Sequence, residues 1–441
     1  MTDSASPAAD RLSDEVGAGM ASSSEPFDWQ RSFAIQFVVA MLCVTAVHAG
    51  RPTVTYRALE LGASTFDIGL LQAAFSILPT LLAVAIGRWV DRTGERGWLA
   101  VAMGIMTLGG AIGTYSSSLA GLALSQVVTG MGQILFLVVG QSLIANYGPR
   151  DSREVRFGHY ATAHSIGQLI GPGLAAVIIG GGVWALQGPL GGLLPGTTPG
   201  QAFLATTLLT GAATLAAVFL PRPRRPVSLD PAEKQPGMAT MTRQVLQRRG
   251  MPAAMVISII VASSVDMVIA YLPVWGEEAG LSVAVVGVLL TVRGAAALIS
   301  RFFMANLISL MSRERTLALS MVLAGIGLVG FPFVTVEWLL VVLMIFVGLG
   351  LGLGQPMTIA WVATRSPRSE RATALGVRIT GNRASLLIIP PVLGAMAGAA
   401  GVTAIFVVLA GSLLGGAMVA AVTPFDELTE NADRTDRGRG Q

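Results

Sequence analysis

Residues 66–117 read FDIGLLQAAFSILPTLLAVAIG (66–87), RWVDRTGERG (88–97) and WLAVAMGIMTLGGAIGTYSS (98–117). Each flanking run matches the roughly 20 apolar residues that carry an α-helix across a hydrocarbon core. Such a run has no water to bond inside a bilayer, so it must satisfy its own backbone as a helix. The connection is short and basic, and Gly94 suits a reversal of the chain. The stretch is therefore read as two antiparallel membrane helices joined on a basic face.

The rest of the chain repeats this pattern. Its 441 residues are 53% hydrophobic and 12% charged, with a mean hydropathy of +0.67. Soluble domains carry about 25% charged residues, and half that density cannot solvate the outside of a fold this large. A soluble enzyme is excluded. Cys43 is the only cysteine, so neither an internal disulfide nor a cysteine-based metal site can form. Apolar runs lie at 33–56, 66–87, 98–117, 120–146, 157–182 and 201–220, then at 251–275, 282–308, 315–334, 337–364, 370–398 and 401–423. The predicted fold class is all-α membrane protein, with twelve transmembrane helices in two pseudo-symmetric six-helix bundles.

Around these runs, residues 1–30 read as a disordered cytoplasmic tail, 31–220 as the N-terminal bundle and 221–250 as a basic, proline-containing cytoplasmic linker. Residues 251–423 form the C-terminal bundle and 424–441 a second cytoplasmic tail. Glycine and proline between 183 and 200 indicate an outer loop. The tails, the linker and the connections 2–3, 4–5, 8–9 and 10–11 hold 24 of the 29 basic residues, which sets both termini in the cytoplasm. Anionic lipid is a sufficient partner for that basic face, and no nucleic acid is expected. The other five, Arg51, Arg57, Arg293, Arg378 and Arg383, fall inside spans or at the outer end of span 1.

A shift of 218 positions lays Gly287 on Gly69, Gly376 on Gly158 and Pro390 on Pro172, and makes connection 8–9 a worn copy of connection 2–3. Internal repeats of this kind mark secondary transporters, in which one bundle rocks against the other around a midplane site. Connection 2–3, with Gly87, Asp91, Arg92, Gly94 and Arg96, resembles the G-x-x-x-D-R-x-G-x-R signature of the major facilitator superfamily. The resemblance implies a gating latch there. In span 5, Gly158, Gly167, Gly171 and Pro172 resemble the packing motif of the family's exporters, with Ala175-Ala176 in place of its last glycine pair. Gln126 stands where proton-coupled members often carry Arg. Arg51-Pro52 and the run from Gly376 to Arg383 are similar to bacterial members, which implies a multi-pass protein of the bacterial inner (plasma) membrane.

Ionisable groups at membrane depth are costly and therefore functional candidates. Asp266 is the only carboxylate deep inside a run, and the repeat sets it against His48; the two are the expected proton-coupling pair. Arg293 falls near the midplane. Arg378, Asn382 and Ser385 share one helical face, which is expected to line the cavity, whereas Arg383 lies about 140° away from Arg378. Arg51, Arg293 and Arg378 against one Asp266 predict a positive interior suited to an anionic or zwitterionic substrate. Gln141 and Gln355 are further candidate ligand groups. His159 and His164 are five apart, poor geometry for a shared metal, so no metal or cofactor is expected.

These readings predict alternating access with no covalent chemistry. The expected activity is proton-coupled export of a small organic compound by a monomer in the lipid bilayer. The alternative is proton-linked uptake of an organic anion, and an alternative of another class is a non-transporting membrane sensor on the same fold.

Overall fold

The structure is a computed structural model describing residues 29–93, 95–146, 153–181, 198–220, 243, 245–248, 250–366 and 371–423. Among them are twelve long helices. The first six are α1 (Trp29–Glu60), α2 (Thr65–Thr93), α3 (Glu95–Tyr115), α4 (Leu119–Asn146), α5 (Arg153–Ile179) and α6 (Thr198–Val218). The second six are α7 (Met251–Glu278), α8 (Val283–Phe302), α9 (Arg313–Gly330), α10 (Glu337–Thr364), α11 (Arg371–Ala400) and α12 (Thr403–Val422). All twelve contain windows long and apolar enough to cross a membrane. Residues 1–28, most of 221–250, 182–197 and 424–441 lie outside the described residues, as do the side chains of Gly87, Asp91, Arg92, Gly94 and Arg96. Expectations for the tails, the linker, most of the outer loop and the gating side chains fall there.

Several boundaries shift from the sequence reading, and two of the shifts bear on the architecture. The first helix continues four residues past 56 to Glu60, because Arg57 anchors its last turn by donating to the Ser116 carbonyl and pairing with Glu60. The run 282–308 is not one helix. It breaks at Phe303 and resumes as a short helix, Met304–Met311, none of whose residues is buried. That piece lies on the surface as an amphipathic connection.

The repeat explains how the halves meet. Gly69 of α2 sits directly under the Pro390 carbonyl of α11, and a Cβ there would lie 2.9 Å from the Cα of Pro391. The pseudo-equivalent Gly287 of α8 packs on Ala176 of α5, beside the Pro172 carbonyl. Glycine on one helix thus receives the bent, proline-bearing helix of the other half twice over. Thr65 donates to the Gly394 carbonyl at 2.8 Å, and Tyr271 of α7 donates to the carbonyls of Thr65 and Pro390. These contacts lie toward the ends of the helices remote from Trp29. At the other ends, Gly158 and Gly376 face open space. The Gly69 and Gly287 contacts close the halves together at the remote end.

Candidate functional site

α1 and α7 bring the central groups together. Both are buried over much of their length, and they cross where Thr55 donates to the Ala270 carbonyl at 3.0 Å. One turn earlier Arg51 Nη1 forms a contact ion pair with Asp266 Oδ1. Their side chains retain 13% and 17% of their exposure. Arg51 also lies 5.5 Å from the Phe75 ring centroid, a cation–π contact from α2. The longer α1 puts Arg51 nine residues, roughly 14 Å, inside the helix and not at the span end that the sequence suggested.

His48 sits one turn below Arg51. Its Nδ1 lies 3.0 Å from the Val44 carbonyl, which can only accept, so Nδ1 is the donor of that bond. The close approach of α1 and α5 fixes its place: a Cβ on Gly171 would meet Thr45 O at 2.7 Å, Ala49 N at 2.8 Å and His48 Cβ at 2.8 Å. Gly167 packs as tightly against Val44 and Thr45, whereas Gly158, expected in the same packing motif, has nothing within 4 Å. Pro172 lies inside α5. No direct contact joins His48 to Asp266; Arg51 is the group that stands at the carboxylate.

Arg293 of α8 keeps only 4% of its exposure and makes no hydrogen bond or ion pair among the described residues. It lies within electrostatic reach of Arg51, Arg301 and Asp266. Arg301, counted from sequence as part of a cytoplasmic connection, belongs to the last turn of α8. It donates to the Gly352 carbonyl of α10 and to Ser165 Oγ of α5, each at 3.1 Å, and so bridges the halves. Arg383 reaches Gln133 of α4 at 3.5 Å and feels the charges of Asp266 and Arg51.

The structure corrects the expected cavity face of α11. Arg378 is 5% exposed and donates to Gln355 and Thr358 of α10. Asn382 accepts from Ser258, and Ser385 pairs with Ser263, both on α7. That stripe is polar packing between helices, and Gln355 belongs to it. Arg383, on the other side of the helix, is the one turned to the centre. Gln141 of α4 is exposed. His164 is wedged against Tyr160 and Phe136, with ring centroids at 4.5 and 6.0 Å, and His159 lies 6.0 Å from the Phe33 ring. Behind Arg51, inside the first half, Gln126, Thr129, Thr206 and Thr210 line a cavity of about 30 Å³, large enough for a water.

A basic, carboxylate-poor centre between two repeat-related halves is the architecture into which the comparisons fall. The sequence matches the Major Facilitator Superfamily profile twice, over residues 32–286 and 254–440. The chain belongs to the major facilitator superfamily.

Among relatives of this superfamily, "Multidrug resistance protein 2" of Bacillus subtilis (strain 168) is 27% identical over 127 residues, 29% of this chain and 31% of that one. "Quinolone resistance protein NorA" of Staphylococcus aureus (strain N315) is 24% identical over 115 residues, 26% and 30% of the two chains. The match thus spans about a third of each relative. A bacterial homologue of the human lysosomal transporter Spinster, solved inward-facing and occupied, superposes with a TM-score of 0.68 at 15% identity, covering 90% of this chain and 97% of that chain. The nucleoside transporter NupG gives 0.69 at 13% identity, covering 88% and 98%. At such identities the structures establish the fold; the family match, the twelve apolar helices and the bacterial relatives support a multi-pass bacterial membrane protein.

Proposed function

We propose that this protein is a proton-coupled secondary transporter that carries a small organic compound across the bacterial plasma membrane by alternating access. The observation that carries the reading is the Arg51–Asp266 pair, which ties α1 of one half to α7 of the other. The closed end can open only if that contact breaks. A proton on Asp266 removes the charge that holds Arg51, so proton binding and the change of access are one event. The groups within electrostatic reach of Asp266 are Arg51 on α1, Arg293 on α8 and Arg383 on α11, and His48 lies within reach of Arg51 and Arg293.

The distribution of basic residues supports cytoplasmic termini, so the end closed by the Gly69 and Gly287 contacts is the outer one. The glycine–proline motif of α5 and the efflux names of the relatives support export. The monomer is the working unit of the proposal, since the centre is complete within one chain. The gating motif from Gly87 to Arg96 is assigned the conformational latch on the cytoplasmic side.

The test is transport in reconstituted vesicles containing a pH-sensitive dye. Movement of a bound compound should shift the internal pH in the wild type and not in Asp266→Asn. Compound flux with no accompanying proton flux in the wild type would refute the coupling. Binding with no flux would assign the protein to the sensor class instead.

A further inference from the structure

The central charges identify a class of cargo. Arg51, Arg293 and Arg383 lie within electrostatic reach of one carboxylate, Arg301 lies within reach of Arg293, and Arg51 already occupies the carboxylate. The partners of Arg301 are a carbonyl and a hydroxyl, and that of Arg383 is an amide oxygen at 3.5 Å. Arg293 has neither hydrogen bond nor ion pair among the described residues, although only 4% of it is exposed. A guanidinium held away from water requires a counter-charge or a full set of acceptors. α10 and α12 offer no counter-charge: the one ionisable residue of α10 is Glu337 at its remote end, and α12 has none. Asp67 of α2 lies near the remote end, taken up by Ser64. Among the described residues none supplies the acceptor that Arg293 Nε lacks.

We infer that the cargo is an organic oxyanion, a carboxylate or a phosphate ester, seated on Arg293 at the midplane, and that it binds together with a proton. The inference rests on the transporter reading above and specifies its site. Arg293 supplies a planar fork of donors matched to two oxygens of such a group. Arg51 is within its electrostatic reach, so the bound oxyanion competes with Asp266 for Arg51. Asp266, losing its cation beside a new negative charge, takes up a proton. Cargo and proton therefore load together and travel the same way, so export proceeds while the outward gradient of the anion exceeds the inward gradient of the proton. Exchange in opposite directions would suit a cationic cargo, which displaces a proton from a carboxylate, but three guanidiniums with no carboxylate partner among the described residues repel a cation here.

The experiment uses the purified full-length protein with succinate, phenyl phosphate and tetraphenylphosphonium as probes. In the wild type, thermal stabilisation is expected from succinate or phenyl phosphate and none from tetraphenylphosphonium; which anion stabilises distinguishes the two oxyanion chemistries. In weakly buffered solution, adding that anion should draw protons out of the medium, and Asp266→Asn should bind without doing so. Arg293→Gln should lose at least tenfold in affinity, and Arg293→Lys, which keeps the charge but not the fork, should lose less. The wild-type comparison needs no variant to fold. Stabilisation by tetraphenylphosphonium, by none of the probes, or by an anion that releases protons overturns the inference. Proton-coupled flux of tetraphenylphosphonium would overturn it while leaving the transporter reading intact; an anion that binds as described but never crosses would do the reverse.

Discussion

Gly171→Ala and Gly158→Ala should move stability in opposite directions, although both belong to the same sequence motif of α5. At Gly171 the added methyl meets Thr45 O at 2.7 Å and Ala49 N and His48 Cβ at 2.8 Å. Two of these are backbone atoms of α1 and cannot rotate away. Restoring ordinary contact at 3.4 Å requires the helices to part by roughly 0.6–0.7 Å. A gap of that size forfeits a quarter to a half of each dispersion contact along the seam, and overpacking of this kind costs about 1–3 kcal/mol. At Gly158 the methyl meets nothing within 4 Å, so the gain is that of alanine over glycine in a helix, about 0.5–1 kcal/mol. Cys43 provides the assay: it is the one cysteine of the chain and fully buried, so a thiol-reactive dye reports unfolding directly. Gly171→Ala should unfold at a lower temperature than the wild type and Gly158→Ala at the same temperature or higher. Equal shifts for the two would refute the close packing of α1 on α5 that sets the position of His48.

Gly69→Ala forces α2 from the Pro390 carbonyl of α11 and should open the remote end; spin labels at Glu60 and Ala279 in a Cys43→Ala background should report a longer distance. Arg378→Gln removes the donors to Gln355 and Thr358 and should lower thermal stability by about 1–3 kcal/mol while leaving anion affinity within about twofold, checked by dye unfolding and titration. Thr55→Val deletes one neutral hydrogen bond to Ala270 and should cost about 1 kcal/mol of the closed state, seen as a modest rise in the long-distance population of the same label pair.

The twelve spans were legible because apolar runs of about 20 residues have only one backbone solution in lipid. The errors lie where polarity and helicity part: Arg57 holds the end of α1 beyond its apolar stretch, and the break at Phe303 falls inside a run that reads as one span. Asp266 was legible by depth alone. Its partner was not, since the repeat relates residues 218 apart while the crossing of α1 and α7 joins residues 215 apart, setting Arg51 and not His48 at the carboxylate. The surface that the polar stripe of α11 faces was not legible, because Arg378, Asn382 and Ser385 have the same spacing whether they face water or, as in this structure, another helix. Arg301 was overlooked as a flanking charge; its position inside the 282–308 run was the available signal.

The account turns on the pair between the halves. A contact ion pair at an effective dielectric near 20 is attracted by about 4 kcal/mol, an upper bound that desolvation of the two side chains reduces. Protonating Asp266 should therefore shift the access equilibrium toward the open state. The direct measurement is the Glu60–Ala279 label distance followed from high to low pH in vesicles. The wild type should pass from the short to the long distance as pH falls, and Asp266→Asn should already favour the long distance and ignore pH. A wild-type distance that does not change with pH, or a variant that titrates as the wild type does, would contradict the claim.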